Sequence, residues 1–209
     1  MPATKQRRAT SAYDVHPSLG MYQSSLAALK QKTGSTLEEW IKLVQKNGPP
    51  MEKERRAWLK AEHSLGMNYA GWIAEHSVGK GDDGNPETYL RQADEFVEKM
   101  YSGPKEALLP IFEELVGLGR NLGNDVKVCP CQTMVPLYRK HVFAQIKPTT
   151  RTRIDLGLAL KDTKVPKRLI DTGGLAKKDR ITHRIEITSV KDIDGEVKKW
   201  LKAAYEMDR

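Results

Sequence analysis

From residue 126 to 160 the chain reads VKVCPCQTMVPLYRKHVFAQIKPTTRTRIDLGLAL, with apolar and polar positions repeatedly alternating. A period of two predicts short antiparallel strands with one face in a core. Val126 and Val128 point one way, Lys127 and Cys129 the other. A second strand passes through Val135 and Leu137 to Arg139, and a third runs from about His141 to Lys147. Lys147-Pro148-Thr149-Thr150 makes a turn. In the next strand Ile154, Leu156, Leu158 and Leu160 alternate strictly with Arg153, Asp155, Gly157 and Ala159. A last strand over residues 183–188 carries Ile185 and Ile187 inward. Ser189 with Asp192 reads as a capping box, after which Ile193, Val197, Trp200, Leu201 and Ala204 lay a helix on the sheet.

Upstream the period is helical. His16-Pro17-Ser18 opens a helix that buries Met21, Leu26 and Leu29 and ends near Thr33-Gly34. Thr36 and Glu39 form a capping box, and Leu37, Trp40, Ile41 and Val44 follow as one stripe until Asn47-Gly48-Pro49-Pro50 stops the helix. A third helix places Met51, Arg55, Trp58, Leu59 and Glu62 along one side. His63-Ser64-Leu65-Gly66 turns into a fourth helix over residues 67–76. The stretch Gly79-Lys80-Gly81-Asp82-Asp83-Gly84 is a pliable boundary. It is no Walker loop, for it lacks the Gly-Lys-Ser/Thr ending and a preceding strand. Asn85-Pro86-Glu87 then caps a helix with Tyr89, Ala93, Phe96, Val97 and Met100 on its apolar face. A further helix to about Gly119 buries Leu108, Phe112, Leu115 and Val116, and Pro110 kinks it or delays its start.

These elements predict an α+β protein: a small N-terminal helical bundle, then a helix-flanked antiparallel sheet closed by a C-terminal helix. The expected division is a disordered lead-in over residues 1–12, a helical domain over 13–78, a linker over 79–85 and an α+β domain over 86–209.

Charge adds a direction to this picture. The net charge is +8, and residues 125–209 alone carry 19 Lys and Arg against 11 Asp and Glu, whereas residues 81–124 carry 4 against 9. A surplus concentrated in one domain makes either a solvated charged face or a surface for polyanions. The cations expected near strand ends and turns are Arg139, Lys140, Lys147, Arg151 and Arg153. Lys177, Lys178, Arg180 and Arg184 follow in the long basic connection before the last strand. A connection of that length inside a small domain is functional or disordered. No run approaches the apolar length of a membrane helix, and the basic N-terminus lacks a signal-peptide core.

Recognisable catalytic chemistry is missing from the pattern. Cys129 and Cys131 stand one residue apart on a strand face, with no second Cys/His pair at metal spacing, and read as reduced thiols of a cytoplasmic protein. Asp155 has no second carboxylate at the spacing a metal-dependent nuclease needs, and no Ser or Cys sits in a nucleophile elbow. Glu62 and His63, adjacent on a helix, point about 100° apart and do not converge. The helix pair around Gly66 has the outline of a helix-turn-helix, with Asn68 and Tyr69 as its readers, or is an ordinary hairpin. The lack of Lys or Arg from residue 67 to 78 weighs against base reading there.

Two resemblances rest on particular residues. TGSTLEEWIKLVQ (residues 33–45) with WLKAEHSLGMNYA (58–70) resembles the bacterial domain of unknown function numbered 4287, through Thr36, Trp40, Trp58, Leu59, Glu62, His63 and Gly66. It implies a compact helical unit and no activity. LYRKHVFAQIKP, RIDLGLAL, THRIEITS and WLKAAYE resemble the bacterial domain of unknown function numbered 5655, over residues 100–208. Members of that family occur beside predicted endonuclease domains or in proteins labelled predicted transport proteins, and no catalytic residues carry over. The chain departs most from it at residues 171–180.

The expected function is therefore non-enzymatic binding of nucleic acid or another polyanion by the basic C-terminal surface, with no cofactor and no metal. Tyr138 or Phe143 would stack a base there. The alternative is a small-molecule or protein-binding pocket beside the sheet, formed by Tyr138, Thr182 and His183, with a hydrolase as the third reading behind it. His183 shares a face with Ile185 and Ile187, which also fits a core-edge histidine.

Overall fold

The computed structural model describes residues 11–80, 85–163 and 167–209. The expected lead-in lies largely outside the described residues, as do residues 81–84 of the linker. The chain divides into two compact units: Pro17–Tyr89, and the N-terminal residues through His16 together with Leu90–Arg209.

The first unit is helical: α1 Pro17–Ala27, α2 Leu29–Thr33, α3 Leu37–Asn47, α4 Glu52–His63 and α5 Met67–Ser77. Its core gathers Leu29, Trp40, Val44, Leu59, Leu65, Ala70, Ile73 and Ala74. The helix expected over 17–33 is divided at Ala28, and its end is held twice. Thr33 Oγ1 donates to the Leu29 carbonyl at 2.8 Å, and Gly34, at φ +85°, donates its N–H to the Lys30 carbonyl. Only glycine takes that left-handed conformation at little cost. The Trp40 indole donates to Thr33 Oγ1 at 2.8 Å, tying α3 to the end of α2. The Thr36–Glu39 capping box is formed in both directions. Met21 is exposed, so it is not buried as the helical period suggested, and Met51, just before α4, is exposed as well. Arg55 has a structural duty instead: its guanidinium donates to the carbonyls of Pro49 and Ser77, holding α4 to the chain after α3 and to the end of α5.

The second unit is built on a six-stranded antiparallel sheet in the order β1-β2-β3-β4-β6-β5. Its strands are β1 Lys127–Val128, β2 Val135–Tyr138, β3 Val142–Pro148, β4 Ile154–Leu158, β5 Ile170–Asp171 and β6 His183–Ile187. Helix α6, Pro86–Met100, enters this unit from Leu90 on. Pro110 delays the next helix: a 3-10 segment, Gly103–Leu108, precedes α7 Leu109–Arg120. The last helix is α9 Gly195–Met207. Ile154, Leu156, Leu158 and Leu160 are fully buried beside Ile185, Ile187, Leu115, Val197 and Leu201. Burying the first four stabilises by about 6–12 kcal/mol gross, before chain entropy. A Cβ on Gly119 of α7 would come within 2.7 Å of Leu137, so helix and sheet meet closely because that residue has no side chain.

Several expectations need correction. Alternation in β4 is not strict, since Gly157 is also buried: Ile181, from the connection before β6, and Gln145 of β3 would each lie 2.7 Å from a Cβ there. That connection carries the edge strand β5, paired antiparallel to β6, and the short helix α8 Gly174–Lys177. Residues 164–166 of it lie outside the described chain. Cys129 and Cys131 are not on a strand face; β1 ends at Val128, and Cys129 is fully buried. The Ser189–Asp192 box caps a 3-10 turn, Val190–Asp192, while Asp194 caps α9 by accepting from Glu196 and Val197 N–H. Residues 11–16 pack with the sheet unit. Asp14 donates its N–H to the Val128 carbonyl at 2.9 Å and accepts from Val128 N–H through Oδ2 at 2.8 Å. This contact satisfies part of the edge that β1 would otherwise expose.

Candidate anion-binding cleft

The cations singled out by sequence fall into two groups. Four arginines are engaged with acidic side chains. Arg153 and Arg184 meet Asp155 and Glu186 at 2.8–2.9 Å, a four-residue lattice across β4 and β6. Arg139 Nε lies 2.7 Å from Asp125 Oδ2, and its guanidinium sits 4.3 Å from the Tyr205 ring centroid. These contacts, with a 2.7 Å bond from the Tyr205 hydroxyl, hold the Asp125 carboxyl below its ordinary pKa. Arg180 donates to Asp208 at 2.8 Å; this carboxylate is only 3% exposed and also accepts from His141 N and Nδ1.

Lys140, Lys147, Arg151, Lys177 and Lys178 remain exposed, without a carboxylate partner among the described residues. Lys177 Nζ donates to the Thr172 carbonyl, and Lys178 takes a left-handed conformation, φ +56°, after α8.

Two of the sequence-selected cations, Lys147 and Arg151, meet in a cleft of about 560 Å³. Lys99 and Met100 reach it from the end of α6, and Ser102, Pro104 and Lys105 from the chain after that helix. Gln132 and Thr133 come from the β1–β2 connection, and Lys147, Pro148, Thr149 and Arg151 from the β3–β4 hairpin. The lining holds four cations and no carboxylate. Lys105 Nζ donates to the Pro148 carbonyl at 2.6 Å, which fixes one cation and leaves two N–H donors on the ammonium. Lys99 has a long contact, 3.9 Å, to exposed Glu95 one turn earlier. A positively charged cleft with hydroxyl and amide groups among its cations is suited to holding an anion.

Sequence reasoning found half of these cations. Lys99 and Lys105 lie in the segment whose charge balance is acidic, and a regional tally hid them. Their position on either side of the Ser102-Gly103-Pro104 break was the available signal, because such a break brings the two ends of a turn to one place.

The other proposed pocket is not assembled. Tyr138 is on β2 and His183 on β6, with β3 and β4 between them. The Tyr138 hydroxyl instead lies 3.1 Å from His16 Nε2. Thr182 and His183 are buried, with Thr182 Oγ1 2.9 Å from His183 Nδ1 and donated to by Leu160 N–H. Phe143 is fully buried against Tyr205, and Tyr69 packs edge-on against Trp72. Phe143 therefore presents no ring for stacking a base. Burial pushes the Cys129 thiol up to about 12 and also raises Cys131. Among the described residues no three His, Cys, Asp or Glu stand close enough to hold a metal ion, and no helix is long and apolar enough to cross a membrane.

The two units define the class as a helical domain joined to a helix-flanked sheet domain. The chain belongs to the family described as Domain of unknown function (DUF5655), which matches residues 97–208, more than half its length. Residues 21–78 match a second family, Domain of unknown function (DUF4287). No curated protein and no solved structure matches the chain.

Proposed function

We propose that the protein is a non-enzymatic binding protein that holds nucleic acid or another polyanion on its C-terminal unit, with the cleft between α6 and the β3–β4 hairpin at the centre of contact. One observation carries this reading: Lys99, Lys105, Lys147 and Arg151 converge on one cleft whose lining contains no carboxylate. Exposed Lys140, Lys177 and Lys178 add to the positive field of the same unit. Arg139, Arg153, Arg180 and Arg184 serve mainly to hold the fold, because each already faces an acid. The pocket alternative gains no support, since Tyr138 and His183 lie on separated strands. The unpaired thiols of Cys129 and Cys131 favour a reducing, cytoplasmic setting.

The test is a fluorescence-anisotropy titration of the full chain with labelled single- and double-stranded DNA and RNA at two salt concentrations. Displacement of counterions by several cations gives a log–log salt slope of several units. A flat response, or no binding at low salt, overturns the reading.

A further inference from the structure

We propose, resting on the polyanion reading above, that the cleft recognises a short run of linked phosphates ending in a phosphoryl group, and does not recognise nucleobases. The lining supplies the argument. It contains Lys99, Lys105, Lys147 and Arg151 with Ser102, Gln132, Thr133 and Thr149, and no aromatic residue. Binding of single strands through their bases depends on aromatic side chains on which those bases stack. The polar side chains here are cations, hydroxyls and one amide, beside the apolar Met100, Pro104 and Pro148. The polar groups suit phosphate oxygens.

Charge density selects the end of a phosphate chain over its interior. A terminal phosphoryl carries about −1.5 to −2 at neutral pH, whereas an internal phosphodiester carries a single charge. Four cations without an internal counter-carboxylate favour the denser anion. Three of the four are lysines, which act as point charges on phosphate and impose less planar geometry than a guanidinium fork. The 2.6 Å bond from Lys105 to the Pro148 carbonyl holds that ammonium at the hairpin before any ligand arrives, reducing the ordering cost of binding. The cleft volume, about 560 Å³, is in the range of small-molecule sites and exceeds what a lone phosphate occupies.

The experiment uses the full chain and three RNA oligonucleotides of one sequence, carrying a 5′-hydroxyl, a 5′-monophosphate or a 5′-triphosphate. Inorganic tripolyphosphate is titrated both alone, by calorimetry, and as a competitor. The expected result is tighter binding of the triphosphate end than the hydroxyl end, by about tenfold or more, with competition by tripolyphosphate. Changing the base sequence leaves the affinities unaltered. Lys99→Met and Arg151→Gln each reduce the end preference while circular dichroism and thermal midpoint stay at the parent values. Binding of tripolyphosphate without any oligonucleotide upholds the chemistry and identifies free oligophosphate as its source. Equal affinity for all three ends, with no binding or competition by tripolyphosphate, overturns the inference but leaves the polyanion reading standing. Failure of every probe here, and of the labelled DNA strands as well, to bind overturns both.

Discussion

Lys105 Nζ and the Pro148 carbonyl, 43 positions apart, are joined by a 2.6 Å hydrogen bond that ties the segment after α6 to the β3–β4 hairpin. The bond closes one side of the basic cleft and sets the position of one of its four cations. Lys105→Met keeps most of the aliphatic stem but removes donor and charge. It should cost about 1 kcal/mol of stability and weaken polyanion binding. Lys105→Arg should retain most of the binding. Denaturant titration beside anisotropy separates these effects, and equal binding losses in both variants would contradict the charge argument.

Asp208 anchors the end of α9 by accepting from His141 N, His141 Nδ1 and Arg180 at 2.8–3.0 Å, while only 3% exposed. Removing that carboxylate leaves several donors without their acceptor. Asp208→Ala should destabilise the protein by about 2–4 kcal/mol, measurable by calorimetry as a lowered transition of the sheet unit. A loss below the error of the measurement would show that water replaces the acceptor.

Arg153 and Arg184 should behave unlike Arg151. Arg153 is linked to Asp155 and Glu186, so Arg153→Ala should cost about 1–2 kcal/mol, at the low end because the group is partly exposed. Arg151→Ala should leave stability within about 0.5 kcal/mol of the parent and weaken anion binding. The reverse pattern would place the binding surface on the open face of β4 and β6.

Burial lowers the His16 imidazole below its ordinary pKa. The unfolded chain therefore takes up this proton more readily than the folded chain. The group's contribution to stability is fully present above the ordinary histidine value, about 6.5, and is lost as pH falls through the lower folded value. Denaturant midpoints between pH 8 and 5 should decline on acidification, and His16→Gln should flatten that limb. Identical slopes in parent and variant would exclude His16 as a contributor.

Cys129, buried and with a thiol raised to about 12, should resist thiol-specific reagents in the folded protein. Mass spectrometry after brief alkylation should find Cys129 unmodified until denaturant is added. Rapid native modification would mean that the segment before β2 opens readily.

The framework was largely legible because its signals are local. Thr36 and Glu39 specify a cap over three residues, and the apolar positions of β4 and β6 specify a buried sheet face. The errors arose where distant residues meet. Gly157 breaks the strict alternation because Ile181 and Gln145 leave no space beside it. Asp194, not the Ser189 box, begins α9 because its carboxylate reaches the first helical N–H groups. The candidate site was half legible for the same reason. Lys147 and Arg151 stand on a recognisable turn, but Lys99 and Lys105 join them only through the fold. Conversely, Arg139 and Arg180 looked available because their acids, Asp125 and Asp208, lie far along the chain. Arg153 and Arg184 each have an acid two residues on, on the same strand face, a signal that was there to read.

The most direct measurement compares the salt dependence of polyanion binding by the parent and by the double variant Lys147→Glu/Arg151→Glu. The cleft account predicts a parent log–log slope of several units, reduced by about one unit for each phosphate that the variant no longer neutralises, with affinity falling sharply at low salt. Unchanged affinity and slope in a folded double variant would contradict it.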